Sequence, residues 1–165
     1  MKKIISLAIL LLLLGAYCLF ALGSGESKTD NQGNGAAQSE SDKDSNLGDY
    51  KVDIVSCRLA KDYEGKSVVI VKYKFTNNGD KSAAFYTAFD DTVYQNGVGL
   101  NTAYILADNA NYSSDNQTKE IKPGASLEVE AAFELNDTQT DIEVEVEELF
   151  SLDDNVVKKT FSITE

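Results

Sequence analysis

The stretch NANYSSDNQTKE, residues 109–120, carries oxygen-bearing side chains at the spacing of a calcium loop. Read as a twelve-residue loop, it puts Asn109, Asn111, Ser113 and Asp115 on alternate ligand positions and Glu120 on the last, where hard oxygen ligands would surround Ca²⁺. Ser114 stands where such a loop needs glycine, and the first ligand is uncharged. The flanks read as strands, which excludes an EF-hand. What remains is a weak calcium site in a sandwich loop, with Asn109, Asn111, Asp115 and Glu120 as candidate ligands, set against a plain polar surface loop. The polar loop is the simpler reading.

A second stretch, AKDYEGKS (residues 60–67), ends in the Gly65-Lys66-Ser67 of a relaxed phosphate loop, with Ala60 where a glycine usually stands. Phosphate binding there needs a helix directly afterwards, so that backbone N–H groups and the helix dipole face the anion. SVVIVKYKF follows instead, and it reads as a strand; Asp62 and Glu64 would also repel phosphate. A polar hairpin loop is expected. Asp90-Asp91 offers two adjacent carboxylates of the kind glycoside hydrolysis uses. Neighbouring strand residues point to opposite faces, which argues against one shared cleft. Tyr86, Tyr104, Tyr112 and Phe85 could stack on sugars, with half of them expected in the core.

Other chemistry is hard to assemble. There is no histidine, hence no Ser–His–Asp or Cys–His arrangement and no imidazole for zinc. No Ser-x-x-Lys occurs either. Beyond the apolar N-terminal run Cys57 is the one cysteine, so the domain cannot hold an internal disulfide. It falls in the strand-like VDIVSCRLA, and alternation sends the neighbouring Arg58 to the other face, so a buried small hydrophobe is expected rather than a reactive thiol. No catalytic residue and no cofactor is assigned, and the chain is read as a non-enzyme.

The elements that would position these residues follow from the rest of the 165-residue chain. Lys2 and Lys3 precede an apolar run from Ile4 to Gly23. This pattern suits an export signal or a membrane anchor and places the remainder outside the cytoplasm. Cleavage near Gly23 fits the small residues Ala21 and Gly23, whereas a run of about 20 residues is long enough to be retained as a single-span helix. Tyr17 before Cys18 and Leu-Phe-Ala-Leu after it argue against lipid attachment at Cys18. Residues 24–48 are Ser, Gly, Asn, Gln, Asp and Lys with almost no large apolar side chain, the composition of a disordered linker.

From residue 49 onward the apolar rhythm has a period of two. Val69, Val71, Tyr73 and Phe75 alternate with Lys72, Lys74 and Thr76. Leu127, Val129, Ala131, Phe133 and Leu135 form a second inward set. Ile142, Val144 and Val146 alternate with glutamates, and Val157, Phe161 and Ile163 form a last set. Half-buried antiparallel strands with one wet face are expected. Turns are predicted at Asn77-Asn78-Gly79-Asp80, at Asn96-Gly97 and at Lys122-Pro123-Gly124, with a bulge near Val55-Ser56. The glutamates at 128, 130, 143, 145, 147 and 148 could gather on one outer face and offer a landing surface to a basic partner, or form a solvated face paired with Lys72 and Lys74. Seven or eight short strands in about 115 residues predict an all-β, immunoglobulin-like antiparallel sandwich over residues 49–165.

The segments LAKDYEGKSVVIVKYKFTNNGDKSAAF, YQNGV, SSDNQTKEIKPGASLEVEAAFELND and EVEVEELF resemble the immunoglobulin-like domains of unknown function in Gram-positive bacterial surface lipoproteins. The resemblance implies a fold and a surface location, and supplies no catalytic residues. With 27 acidic and 15 basic residues, net charge is −12, which disfavours nucleic acid as a partner. The function expected from these features is a non-enzymatic, surface-displayed binding or accessory module. It would be joined to the membrane through its N-terminal segment and face an unknown protein or cell-envelope partner. The alternative is an ion- or small-ligand-binding sensor domain using the 108–120 loop.

Overall fold

The computed structural model describes residues 45–105 and 111–163. The expected leader at 1–23 with Cys18, the linker as far as residue 44, and Asn109 lie outside the described residues. Eight strands follow in order: β1 (Asn46–Leu47), β2 (Tyr50–Lys61), β3 (Ser67–Asn77), β4 (Phe89–Gln95), β5 (Val98–Gly99), β6 (Ser126–Glu134), β7 (Ile142–Glu148) and β8 (Val156–Phe161). They pair antiparallel into two four-stranded sheets, β1-β2-β3-β6 and β5-β4-β7-β8. A one-turn helix, α1 (Phe85–Ala88), leads into β4, and a 3₁₀ turn (Asp115–Thr118) precedes β6. The chain is an all-β sandwich.

The period-two sets pack against one another as their spacing requires. Val69, Val71, Tyr73 and Phe75 of β3 join Val129, Ala131 and Phe133 of β6, facing Ile142, Val144 and Val146 of β7 and Val157 and Phe161 of β8. Tyr50, Tyr73, Phe75, Phe85 and Phe89 form a contiguous aromatic cluster with ring centroids 5.1–6.3 Å apart, several edge-on, the arrangement that ring quadrupoles favour.

Turn chemistry also holds. Asn96 and Gly97 both take positive φ (54° and 73°), the two-residue turn whose twist matches a hairpin, here β4–β5. Gly124 has φ 80°, and the Ala125 N–H donates to the Lys122 carbonyl across the Pro123 turn. The β2–β3 register slips between Ile54 and Ser56, which is the predicted bulge. The Lys159 ammonium donates to the carbonyls of Ile54 and Val55 (2.9 and 3.1 Å) and sits 4.9 Å from the centre of the Phe161 ring. An inward-parity lysine of β8 thus serves the carbonyls at the bulge of β2.

Three expectations are corrected. Leu47 is buried in the core and β1 pairs with β2, so the sheet starts inside the stretch expected to be linker. The outer face of β3 is not wet throughout: Val68 and Ile70 are buried with Ala132 beneath Ala103 and Tyr112. The unbroken run Val68–Val71 is the signature of a strand covered on both sides. The glutamates do not share a face either. Glu128 and Glu130 lie on the first sheet, where Lys72 and Arg58 pair with them, whereas Glu145 lies on the second and pairs with Lys158.

Two buried amides fasten the loops. Asn77 Nδ2 donates to the carbonyls of Lys81 (2.7 Å) and Ile121 (3.0 Å), and its Oδ1 accepts from the Gly79 N–H. Gln95, also buried, holds the loop between β6 and β7. Its Nε2 donates to the carbonyls of Asp137 and Thr140, and its Oε1 accepts from the N–H groups of Asn136 and Asp137.

Candidate functional site

A crevice of about 500 Å³ opens where the two sheets' edges meet. On the first sheet β6 is the edge strand. Its N–H and C=O groups are covered on either side of Ala131. Residues 101–103 pair with Ala132–Glu134, and the Asn116 and Gln117 side-chain amides donate to the carbonyls of Glu128 (2.9 Å) and Glu130 (2.7 Å). Covering an edge in this way removes a template for unwanted strand pairing. It also leaves a gap at Ala131, between Thr102 and Gln117. On the second sheet β5 reaches only the far end of β4, pairing Tyr94 and Gln95, so the near end of β4 is a free edge. That free edge forms the opposite wall.

The walls are aromatic. Phe85, Phe89 and Phe133 line the crevice from the core, while Tyr86 and Phe150 stand at its mouth, 67% and 91% exposed. Phe150 has φ 68° in a turn closed by a hydrogen bond from the Ser151 N–H to the Glu148 carbonyl. A left-handed phenylalanine is rare, because Cβ crowds the following carbonyl at a cost of about 1–2 kcal/mol. Replacing Phe150 with glycine should therefore leave the unfolding midpoint unchanged or raise it. Thermal denaturation checks this, and a clearly lower midpoint would mean the ring contributes to packing.

Acid groups complete the site. Asp91 occupies an inward position of β4 between Phe89 and Val93, and its Oδ2 is buried without a well-formed hydrogen-bond partner. The Tyr73 hydroxyl of the opposite sheet interacts with it, itself buried and lacking a well-formed partner. Burial pushes the Asp91 carboxyl up to about 6. The Tyr73 hydroxyl acts the other way, and the Asp90 charge adds to the rise. Tyr73 is raised well above its ordinary range by burial and then by Asp91. Asp90 points outward, directly opposite Glu147 of β7. Alternation thus sends the two aspartates to opposite faces as expected, yet both reach the crevice, because a cavity at a sheet's free edge touches both sides of the strand. Among the described residues, no basic side chain lines it and no ion pair involves Asp90, Asp91 or Glu147.

Of the residues singled out in the sequence, Phe85, Tyr86, Asp90 and Asp91 line the crevice, whereas the calcium-ligand and phosphate-loop candidates lie elsewhere. Asn111 takes φ 49°, and its carbonyl accepts from Arg58, whose guanidinium also pairs with Glu130 at 3.1 and 3.3 Å. Asp115 and Glu120 are exposed, and the Ser113 hydroxyl accepts from the Asp115 N–H. No cluster of three or more carboxylate or thiol groups placed to hold a metal occurs among the described residues. A guanidinium bound to one of the would-be ligand residues opposes a second cation there. Millimolar calcium should leave the thermal unfolding midpoint unchanged, whereas a rise would reveal native-state binding at this loop.

AKDYEGKS is the β2–β3 hairpin, where Asp62 Oδ1 accepts from the N–H groups of Glu64 and Lys66 (both 2.8 Å). The Cys57 thiol is half-buried and pushed up to about 11 by burial, with the Lys159 charge acting against it. Phe85 and Tyr112 are buried, Tyr86 and Tyr104 exposed. Sequence reasoning set Asp90-Asp91 aside; the legible signal was an aspartate at an inward position of a strand pattern.

These features define the class: a two-sheet antiparallel β-sandwich with a crevice at its open flank. Within that class, the chain belongs to the family described as Domain of unknown function (DUF5067), which it matches over residues 25–148. The match begins in the expected linker and ends with β7, leaving β8 beyond it. No curated protein and no solved structure matches the chain.

Proposed function

We propose that this domain is a non-enzymatic binding module displayed outside the cytoplasm, taking its ligand in the crevice between β4 and β6. One observation carries the reading: an aromatic-walled cavity of about 500 Å³ lined by a carboxylate with one buried oxygen that lacks a well-formed hydrogen-bond partner. Ligand sites are mostly apolar concavities of about 300–1,000 Å³ with a few placed polar groups. Strand order supports an immunoglobulin-like topology. The sets β2-β3-β6 and β4-β7-β8 follow the A-B-E and C-F-G order of that fold, with chain crossings between sheets at β3–β4, β5–β6 and β6–β7. Display rests on Lys2, Lys3 and the apolar run Ile4–Gly23, acting as a retained anchor or cleaved near Gly23, with Cys18 unmodified. The partner would be a protein or another cell-envelope component rather than nucleic acid, given the net charge of −12.

Amide NMR of the full chain against a fragment library of mixed charge tests the binding claim. Hits should converge on Thr87, Thr102 and Gln117; shifts scattered over the surface would overturn it. Intact mass of the native protein from membrane and medium tests display. A full-length membrane species or a species starting at Ser24 in the medium supports it, and a full-length species confined to the cytoplasm contradicts it.

A further inference from the structure

We infer that the crevice recognises an ammonium group carried on a short apolar stem, with Asp91 as the counter-charge and the aromatic walls as the sleeve. This rests on the binding-module reading and names the ligand's chemistry. The floor offers a carboxylate oxygen with no well-formed partner, and a buried acid without a counter-charge is a local cost that an arriving cation offsets. The second acid of the lining is Asp90, which stands across the strand pair from Glu147 outside the crevice, and neither forms an ion pair among the described residues. Like charges placed directly across a strand pair are unfavourable in themselves. They make sense where a cation shares the site.

The walls suit the same guest. Ring faces attract a cation electrostatically when it lies within about 6 Å, and a desolvated site strengthens the attraction. Tyr86 and Phe150 present large rings at the mouth, the latter held in a strained backbone conformation that burial does not explain. Strain of this kind is often retained where it positions a functional group. At −12 the whole molecule also draws cations towards it. An anion or a phosphate would meet two carboxylates, Asp90 and Asp91, and no basic side chain among the lining residues. A neutral apolar guest would leave the Asp91 oxygen unpaired.

Two sources share this chemistry, a free aliphatic amine and the lysine side chain of a peptide. The test titrates the full chain, in a neutral detergent at pH 7.5, with n-butylamine, n-butanol, butyrate and the capped tripeptide Gly-Lys-Gly, read by amide NMR. Butylammonium should shift Thr87, Thr102 and Gln117, butyrate should not, and butanol should bind about tenfold or more weakly. Asp91→Asn should cost butylammonium about tenfold or more while leaving butanol unaffected. Phe150→Gly should weaken butylammonium without unfolding the domain. Tighter binding of the tripeptide would identify a peptide source, and tighter binding of butylamine a free amine; both support the ammonium site.

Equal binding of butanol and butylammonium, or an Asp91→Asn variant with unchanged affinity, would overturn the cation assignment and leave the crevice a binding site. Failure of every probe and every fragment to touch the crevice would overturn both readings.

Discussion

Asp91→Asn should stabilise the domain at pH 7.5, by at most about 3 kcal/mol. Burial pushes this carboxyl up to about 6 from its ordinary 3.8, so the folded state holds the proton more tightly than the unfolded chain does. The proton-linked stability of this group is therefore fully present below about pH 4. It falls as pH rises to about 6 and stays lost above that. The gap corresponds to about 1.4 kcal/mol for each pH unit between the two values, an upper bound near 3 kcal/mol. The facing groups do not reverse the sign. The Tyr73 hydroxyl from β3 favours the charged form but is outweighed by burial, Asp90 opposes it, and β6 contributes the uncharged Ala131 and Phe133. Asparagine keeps the shape and removes the charge. Urea denaturation of both proteins at pH 4 and pH 7.5 should show a stability difference at the higher pH that shrinks at the lower. A less stable variant at pH 7.5 would mean that Asp91 has a strong native partner.

Gln95→Leu should cost about 3–4 kcal/mol. The side chain makes four hydrogen bonds at 2.9–3.2 Å to backbone groups of residues 136–140, and it is only 1% exposed. Leucine fills a similar volume but strands two N–H groups and two carbonyls, and a buried unpaired polar group costs about 1–3 kcal/mol. Partial rehydration of the loop keeps the total below the simple sum. Hydrogen exchange should show amides 136–140 losing protection before the strands do. Unchanged stability would show that the loop satisfies itself without Gln95, through the turn in which Asp137 accepts from the Gln139 and Thr140 N–H groups.

Alternation made the strands legible, since a half-buried antiparallel strand must expose every second residue, and the inward sets of β3, β6, β7 and β8 are the core. Asn96-Gly97 and Pro123-Gly124 were legible for the same reason, because few residues tolerate the backbone those turns need. The crevice was not. Its walls come from α1, β4, β6 and the turn after β7, and their meeting depends on how short β5 is. A strand's length against its neighbour is a tertiary matter that local spacing does not encode. Asp91 illustrates the limit: its inward parity could be read, but not that the opposite sheet would offer it only a tyrosine hydroxyl. The stretch 109–120 shows the same limit from the other side. Oxygen-bearing side chains at a suggestive period include Asn116 and Gln117, whose amides cover the carbonyls of β6. Spacing alone does not distinguish that use from ligation.

The protonation of Asp91 can be followed through its carboxyl carbon by NMR as pH is varied with and without n-butylamine. The midpoint should lie near 6 and move down towards the ordinary range when the ammonium is present, because a bound cation favours the ionised form. A midpoint near 3.8 that the amine does not move would contradict the cation assignment, since the crevice floor would then already hold a satisfied carboxylate.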